Sequence, residues 1–209
     1  MTDEEQENSD EDLLIDRDEY LANGVHIGTK SQHKDMEPYI FHVKKNQLAV
    51  LNVEKTDEKI REVAKLLTEY DPSEVLVVGR KEEALIPLTK FTEANGFDRI
   101  AGRFMPGTLT NPQSERFTEP DLIITVNPTL DKQAIQEAED ANIPVVSLVD
   151  SGNQLDKIDH PIPANNKATN SIATVFYLLT NELKKELGEE FNLELEDFKP
   201  EEEEEEQEE

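Results

Sequence analysis

Residues 75–78, 121–126 and 145–149 of this chain are short, nearly unbroken runs of Val, Leu and Ile. A strand with one wet face alternates apolar and polar residues, so runs like these belong to strands covered on both sides. The stretches between them carry helical spacing instead: Ile60, Val63, Ala64 and Leu67, then residues 82–94, then Ala134, Ile135, Ala138 and Ala141. A last helix over residues 168–187 buries Ile172, Val175, Phe176 and Leu179. Short apolar strands alternating with longer helices give an α/β class, a three-layer α-β-α domain with a mainly parallel sheet and right-handed crossovers.

Local signals set the expected boundaries. A first helix over residues 13–22 ends at Asn23-Gly24, a pair that readily takes the left-handed C-terminal conformation. Residues 40–43 and 48–53 read as two strands around the polar turn 44–47. Thr56 is the expected N-cap of the next helix, which Asp71-Pro72 stops. Asn95-Gly96 closes the second long helix, and either Thr129 or Asp131 opens the third.

Charge is distributed unevenly over these elements. The chain has 48 acidic and 21 basic residues in 209, yet residues 1–19 and 186–209 hold half of the acids with one base each. Residues 1–12 and 199–209 are therefore expected to be disordered acidic arms. Residues 13–198 form a single domain of ample size for one core. Without any cysteine there is no disulfide scaffold, no Cys zinc site and no thiol nucleophile. The N-terminus has no basic-then-apolar leader and no run approaches the roughly 18 apolar residues of a membrane span. The expected compartment is the cytoplasm, and the acid excess fits a salt-loving host, where a Debye length of about 3 Å screens self-repulsion.

Two segments depart from the acidic background. Residues 23–55 contain Lys30, Lys34, Lys44, Lys45 and Lys55, with His26, His33 and His42 between them. Residues 99–118 contain Arg99, Arg103 and Arg116 with Glu115 as the sole acid. Basic loops of this kind are either solvated surface or a phosphate-binding footprint. Phosphate motifs for nucleotides are missing: Gly24, Gly28, Thr29 and Lys30 follow a helix where a P-loop follows a strand. The three histidines lie seven and nine residues apart with no paired carboxylate, which matches no common zinc spacing. His160, between Asp159 and Pro161, reads as a structural residue. Among so many acids no catalytic pair stands out, so an enzyme is not expected and no cofactor, metal or small-molecule substrate is called for. RNA fits better, with Lys and backbone N–H groups for the sugar-phosphate chain and Arg103-Phe104 for an unpaired base. Phe104 is equally well explained as core.

Residues 21–30, Leu-Ala-Asn-Gly-Val-His-Ile-Gly-Thr-Lys, and residues 102–111, Gly-Arg-Phe-Met-Pro-Gly-Thr-Leu-Thr-Asn, resemble two signatures of a known family. Further matches are Pro120 to Ile124, Asn127-Pro128, Gln133 to Ala138, Ile143-Pro144 and Ile162 to Ala168. Together they resemble the universal small-subunit ribosomal protein family two (uS-two), in its archaeal and eukaryotic, laminin-receptor-like branch. The resemblance covers about residues 13–188 and departs at Asn127, where the family often has Asp, and at Pro112.

That resemblance implies a flavodoxin-like domain without an enzymatic pocket, placed between head and body of the small ribosomal subunit. The implied partners are small-subunit rRNA and neighbouring ribosomal proteins, and no membrane. The loops 24–34 and 103–111 become the implied RNA contacts. Lys30, Lys34, Lys44, Lys45 and Arg103 would meet phosphates, while His26, Thr108, Thr110 and Asn111 would reach sugar or backbone oxygens. Thr29 and Gln32 share the first loop. Asn165, Asn166 and Lys167 form a third group, equally explained as a turn and helix cap. Two other readings stay in play, a Rossmann-like nucleotide binder and an acidic protein that captures basic partners with its tails.

Overall fold

The computed structural model describes residues 13–200. The two acidic arms expected from composition lie outside the described residues, apart from Lys199 and Pro200 at the boundary. The elements are α1 (Arg17–Ala22), β1 (Ile40–Val43), β2 (Ala49–Leu51), α2 (Val53–Leu67), β3 (Val75–Gly79), α3 (Leu85–Asn95), β4 (Asp98–Ala101), β5 (Leu122–Thr125), α4 (Lys132–Ala141), β6 (Val145–Val149), β7 (His160–Pro163) and α5 (Thr169–Leu187).

Five strands form a parallel sheet in the order β4-β3-β5-β6-β7. β3, β5 and β6 are interior strands, and each of their residues is buried. This is the two-sided burial that their apolar runs required. Side chains alternate between two cores. Val75, Val77, Leu122, Ile124, Val146 and Leu148 meet α2, α3 and α5 on one face. Leu76, Val78, Ile123 and Val145 meet Ala134, Ile135 and Ala138 of α4 on the other, together with Phe104 and Leu109 from the loop after β4. Three helices cover the first face; one helix and a loop cover the second. The α-β-α layering and the parallel sheet follow the expected class.

Several boundaries differ. Asn52, not Thr56, caps α2: its side chain accepts from the Glu54 N–H, so the helix begins at Val53. Thr56 is buried inside the helix and donates its hydroxyl to the Pro163 carbonyl at 2.6 Å. The first helix is shortened to six residues because Leu13, Leu14 and Ile15 instead pack against the core, with the Leu14 N–H on Asp57 Oδ1. Between the alternatives for α4 the N-cap is Asp131, although its carboxylate points elsewhere. The edge strands β4 and β7 were not anticipated: β4 is mostly exposed and reads as a polar loop, and β7 contains Pro161 and Pro163. Proline is tolerated there because an edge strand bonds a neighbour on one side only.

β1 and β2 form a separate antiparallel ribbon, extended by a bridge between Val50 and Ile27. Its inner side joins Met36, Leu51 and Val149 in a small third core. No helix among the described residues is long and apolar enough to cross a membrane.

Candidate nucleic-acid interface

In an open parallel sheet the ligand-binding edge is the one where the strands end, above all where the strand order reverses. Here the chain runs from β3 outward to β4 and then returns to β5, so the reversal lies between β3 and β5. The backbone N–H groups just past the strand ends at this point are those of Arg80 and Asn127. Both are already bonded: Arg80 N donates to Asp131 Oδ1 at 3.1 Å and Asn127 N to Asp131 Oδ2 at 3.0 Å. A carboxylate of the chain thus takes the donors that would otherwise hold a phosphate. Burial pushes the Asp131 carboxyl up to about 6, although those same N–H bonds pull it down. A nucleotide has no free cradle there.

The first basic loop crosses this edge beside β6. Thr29 N donates to Ser151 Oγ at 2.8 Å, His33 N to the Ser151 carbonyl at 2.8 Å, and Ser151 Oγ donates to the Ser31 carbonyl at 3.1 Å. Contact is so close that a Cβ on Gly28 would stand 2.8 Å from Ser151 Oγ and 3.0 Å from the Ala49 carbonyl. Glycine is required here for space. The loop, with Lys81, Asn127, Asp150, Asn153 and Lys167, lines an open cleft of about 410 Å³.

The second loop folds back over the sheet's thinner face. Gly102 and Gly107 take positive φ, +96° and +87°, which lets the chain turn twice within six residues. Inside the turns sits Glu137 of α4, which is buried and accepts from Gly107 N (2.8 Å), Leu109 N (3.0 Å), Thr110 Oγ1 (3.3 Å) and Gln133 Nε2 (2.8 Å). Burial pushes this carboxyl up, but the four hydrogen bonds outweigh it and hold the group below the usual range. Arg99, Arg103 and Arg116 are brought to one groove of about 420 Å³ along β4.

Cations are the most telling feature of the surface. Among the described residues, Lys55, Lys59, Arg61, Lys157, Lys184 and Lys185 each pair with a carboxylate, as expected where acids outnumber bases. Lys30, Lys34, Lys44, Lys45, Arg103 and Arg116 pair with none among the described residues, and neither do Lys65, Arg80, Lys90 and Lys132, which lie outside the loops. The first six are all exposed. Unpaired cations in an acidic chain leave local positive potential available for phosphates.

The other expected contacts sort by geometry. Gln32, Thr110 and Asn111 are exposed, and Thr29 and His26 are half-buried. Burial, then the charge of Lys44, lowers the His26 pKa, so its ring stays neutral, and its Nδ1 is buried without a hydrogen-bond partner. Thr108 is 2% exposed and donates to the Met105 carbonyl, which makes it part of the loop's interior and not its surface. Lys167 is exposed but bound to Asp150 at 2.7 Å. Phe104 is 6% exposed and belongs to the second core, so its ring is not open to a base. Asn165 and Asn166 serve the turn before α5: Asn165 Oδ1 accepts from Lys167 N, and Asn166 Nδ2 reaches the Leu148 carbonyl. The histidines do not gather around a site, and no group of metal ligands occurs among the described residues.

Sequence reasoning missed Asp131, Glu137 and Ser151 as the parts that shape the site. For Glu137 a signal was present, since it falls at helical spacing within the apolar stripe of Ala134, Ile135 and Ala138. Ser151 lies at the carboxyl end of an apolar strand, where a site is sought, but its contact with Thr29 had no signal, because it joins positions 122 residues apart.

The sequence model of the family described as Ribosomal protein S2 matches residues 20–117 and 113–185. A protein of Methanococcus maripaludis strain C6 named small ribosomal subunit protein uS2 is 42% identical over 193 residues, 91% of this chain and 87% of that one. A protein of the same name from Thermoplasma acidophilum is 42% identical over 179 residues, covering 86% of this chain and 90% of its own. The relative from Thermoplasma volcanium is 41% identical over the same length.

Proposed function

Since the chain belongs to the ribosomal protein S2 family, we propose that its two basic loops are the surface by which it holds small-subunit rRNA. The protein is a structural constituent of the small ribosomal subunit and not an enzyme. Its partners are rRNA and neighbouring ribosomal proteins, its place on the subunit lies between head and body, and its compartment is the cytoplasm.

The observation that carries the reading is the clustering of exposed, unpaired cations on the two loops and the β1–β2 turn, against the scattered Lys65, Arg80, Lys90 and Lys132 elsewhere among the described residues. Lys30 and Lys34 stand on the loop that Ser151 holds, and Arg103 and Arg116 in the groove beside β4. Each phosphate neutralised releases counterions, so the contribution falls with rising salt. Gln32, Thr29, Thr110 and Asn111 add neutral donors and acceptors around the cations, for sugar and phosphate oxygens.

The test is a sucrose gradient of cell lysate with the chain detected in each fraction. The wild type is expected to comigrate with the small subunit. Lys30→Glu with Lys34→Glu, or Arg103→Glu with Arg116→Glu, should move a large part of the chain to the top. Lys65→Glu with Lys90→Glu reverses two exposed cations outside both loops and should leave it on the particle. Equal retention of all three variants would refute the assignment of the loops, and a wild type absent from particles would refute the reading as a whole.

A further inference from the structure

The aromatic ring that is open to solvent near the basic loops is Phe41, not Phe104. Phe41 lies on β1, the outer strand of the two-stranded ribbon, and is 59% exposed. It sits at the irregularity in register between Ile40 and His42, so it is not paired across to β2. Among the described residues its one ring neighbour is His42, edge-on at 5.4 Å and 80°.

The surroundings say what it faces. Residues 40–48 contain no Asp or Glu, in a chain with 48 of them. The turn that joins β1 to β2 carries Lys44 and Lys45, held outward by Lys44 N on the Leu48 carbonyl (2.9 Å) and Gln47 N on the Lys44 carbonyl (2.8 Å). Neither lysine meets a carboxylate among the described residues. Two unpaired cations on the turn that follows a strand bearing an exposed aromatic fit the chemistry of single-stranded RNA, where phosphates meet the charges and a base stacks on the ring. Val43 and Ile27 are also partly open to solvent, but lysine is depleted at protein–protein interfaces, so a protein partner fits the charged turn less well.

Resting on the reading that the protein binds rRNA, we propose that the β1–β2 ribbon is a separate subsite that takes one unpaired nucleobase of rRNA on Phe41, with Lys44 and Lys45 on the flanking phosphates.

The absence of tryptophan from the chain makes a direct test available. Phe41→Trp places a single reporter at the subsite, and stacking on a nucleobase quenches its emission. The full-length variant is titrated with purified small-subunit rRNA while filter retention measures binding on the same samples. Retention with quenching is expected, with binding weakened about ten-fold or more in both Phe41→Ala and Phe41→Leu. Leucine keeps apolar bulk but not a ring, so a Phe41→Leu variant that binds like the wild type would overturn stacking in favour of simple apolar contact. Retention with unchanged emission would place the RNA elsewhere and sink the subsite while leaving the rRNA reading intact. A blue shift without quenching, on adding small-subunit proteins and no RNA, would assign Phe41 to a protein neighbour and reject the proposal. Failure of the wild type to be retained would remove the rRNA reading and this subsite with it.

Discussion

The loop of residues 24–34 is held by neutral hydroxyls and close backbone approach, whereas the loop of residues 102–118 is tied to one ionised carboxylate. In the first, Ser151 accepts from Thr29 N and donates to Ser31, and Gly28 lets the chains touch. In the second, Glu137 collects four donors from loop and helix. Hydrogen bonds to a charged acceptor are about twice as strong as neutral ones. They also fail together, since one group holds them all. The first loop's several weaker bonds share the load, and the hydroxyls and backbone groups that make them do not titrate near neutral pH.

The contrast can be broken most decisively at Glu137. Glu137→Ala leaves Leu109 N buried with no acceptor and frees Gly107 N and Thr110 as well, so a loss of about 3 kcal/mol or more is expected. Thermal unfolding measures it, and hydrogen exchange should rise at residues 104–118 while residues 24–34 stay protected. A variant as stable as the wild type, with no local exchange, would discard the anchor.

Asp131, which bonds the Arg80 and Asn127 N–H groups between the two loops, sharpens the comparison through pH. Its folded pKa of about 6 lies above the ordinary aspartate value of 3.8, so the native state binds the proton more tightly than the unfolded chain. Stability therefore rises as pH falls through 6. Relative to Asp131→Asn, the wild type should gain about 2 kcal/mol between pH 7 and pH 4, read from urea midpoints. Glu137 has the opposite sign. Its folded pKa is depressed, so its contribution is present above the unfolded value and is lost as pH falls through the folded one. The difference between wild type and Glu137→Gln should stay flat from pH 7 to about 5 and close only in stronger acid. A crossing of these two profiles would reverse the roles given to the carboxylates.

Smaller effects are expected at the neutral anchor. Gly28→Ala forces Ser151 and Ala49 apart and should cost about 1–2 kcal/mol, and Ser151→Ala about 1 kcal/mol. Both should loosen residues 24–34 without exposing residues 104–118. Transfer of either effect to the second loop, seen by hydrogen exchange, would show that the anchors are coupled after all.

Much of the architecture was legible from residue pattern. Buried strands announce themselves because a strand apolar on both faces has no other home, and the stripe of α5 does so because Ile172, Val175, Phe176 and Leu179 share one face. β4 was hidden because its exposed residues, Asp98 and Arg99 among them, resemble a loop, and β7 because its prolines argue against a strand. Thr56 misled because a hydroxyl that caps a helix and one that reaches Pro163 across the core look alike in one dimension. Of the candidate site, the lysines of residues 30–45 and Arg103 could be named from charge alone. That Thr108 turns inward while Phe41 stays outside could not, because either type of residue is common in both places.

What the linear chain determined by itself is the class of fold, the location of positive charge and the family signatures, since periodicity and composition are local properties. The tertiary structure decided which cations are left without a carboxylate and which ring meets solvent. It also put Asp131 where a nucleotide phosphate would sit and Glu137 inside the second signature loop. Those outcomes depend on side chains from distant positions competing for the same donors, and that competition exists only once the sheet has brought them within 3 Å or so of one another.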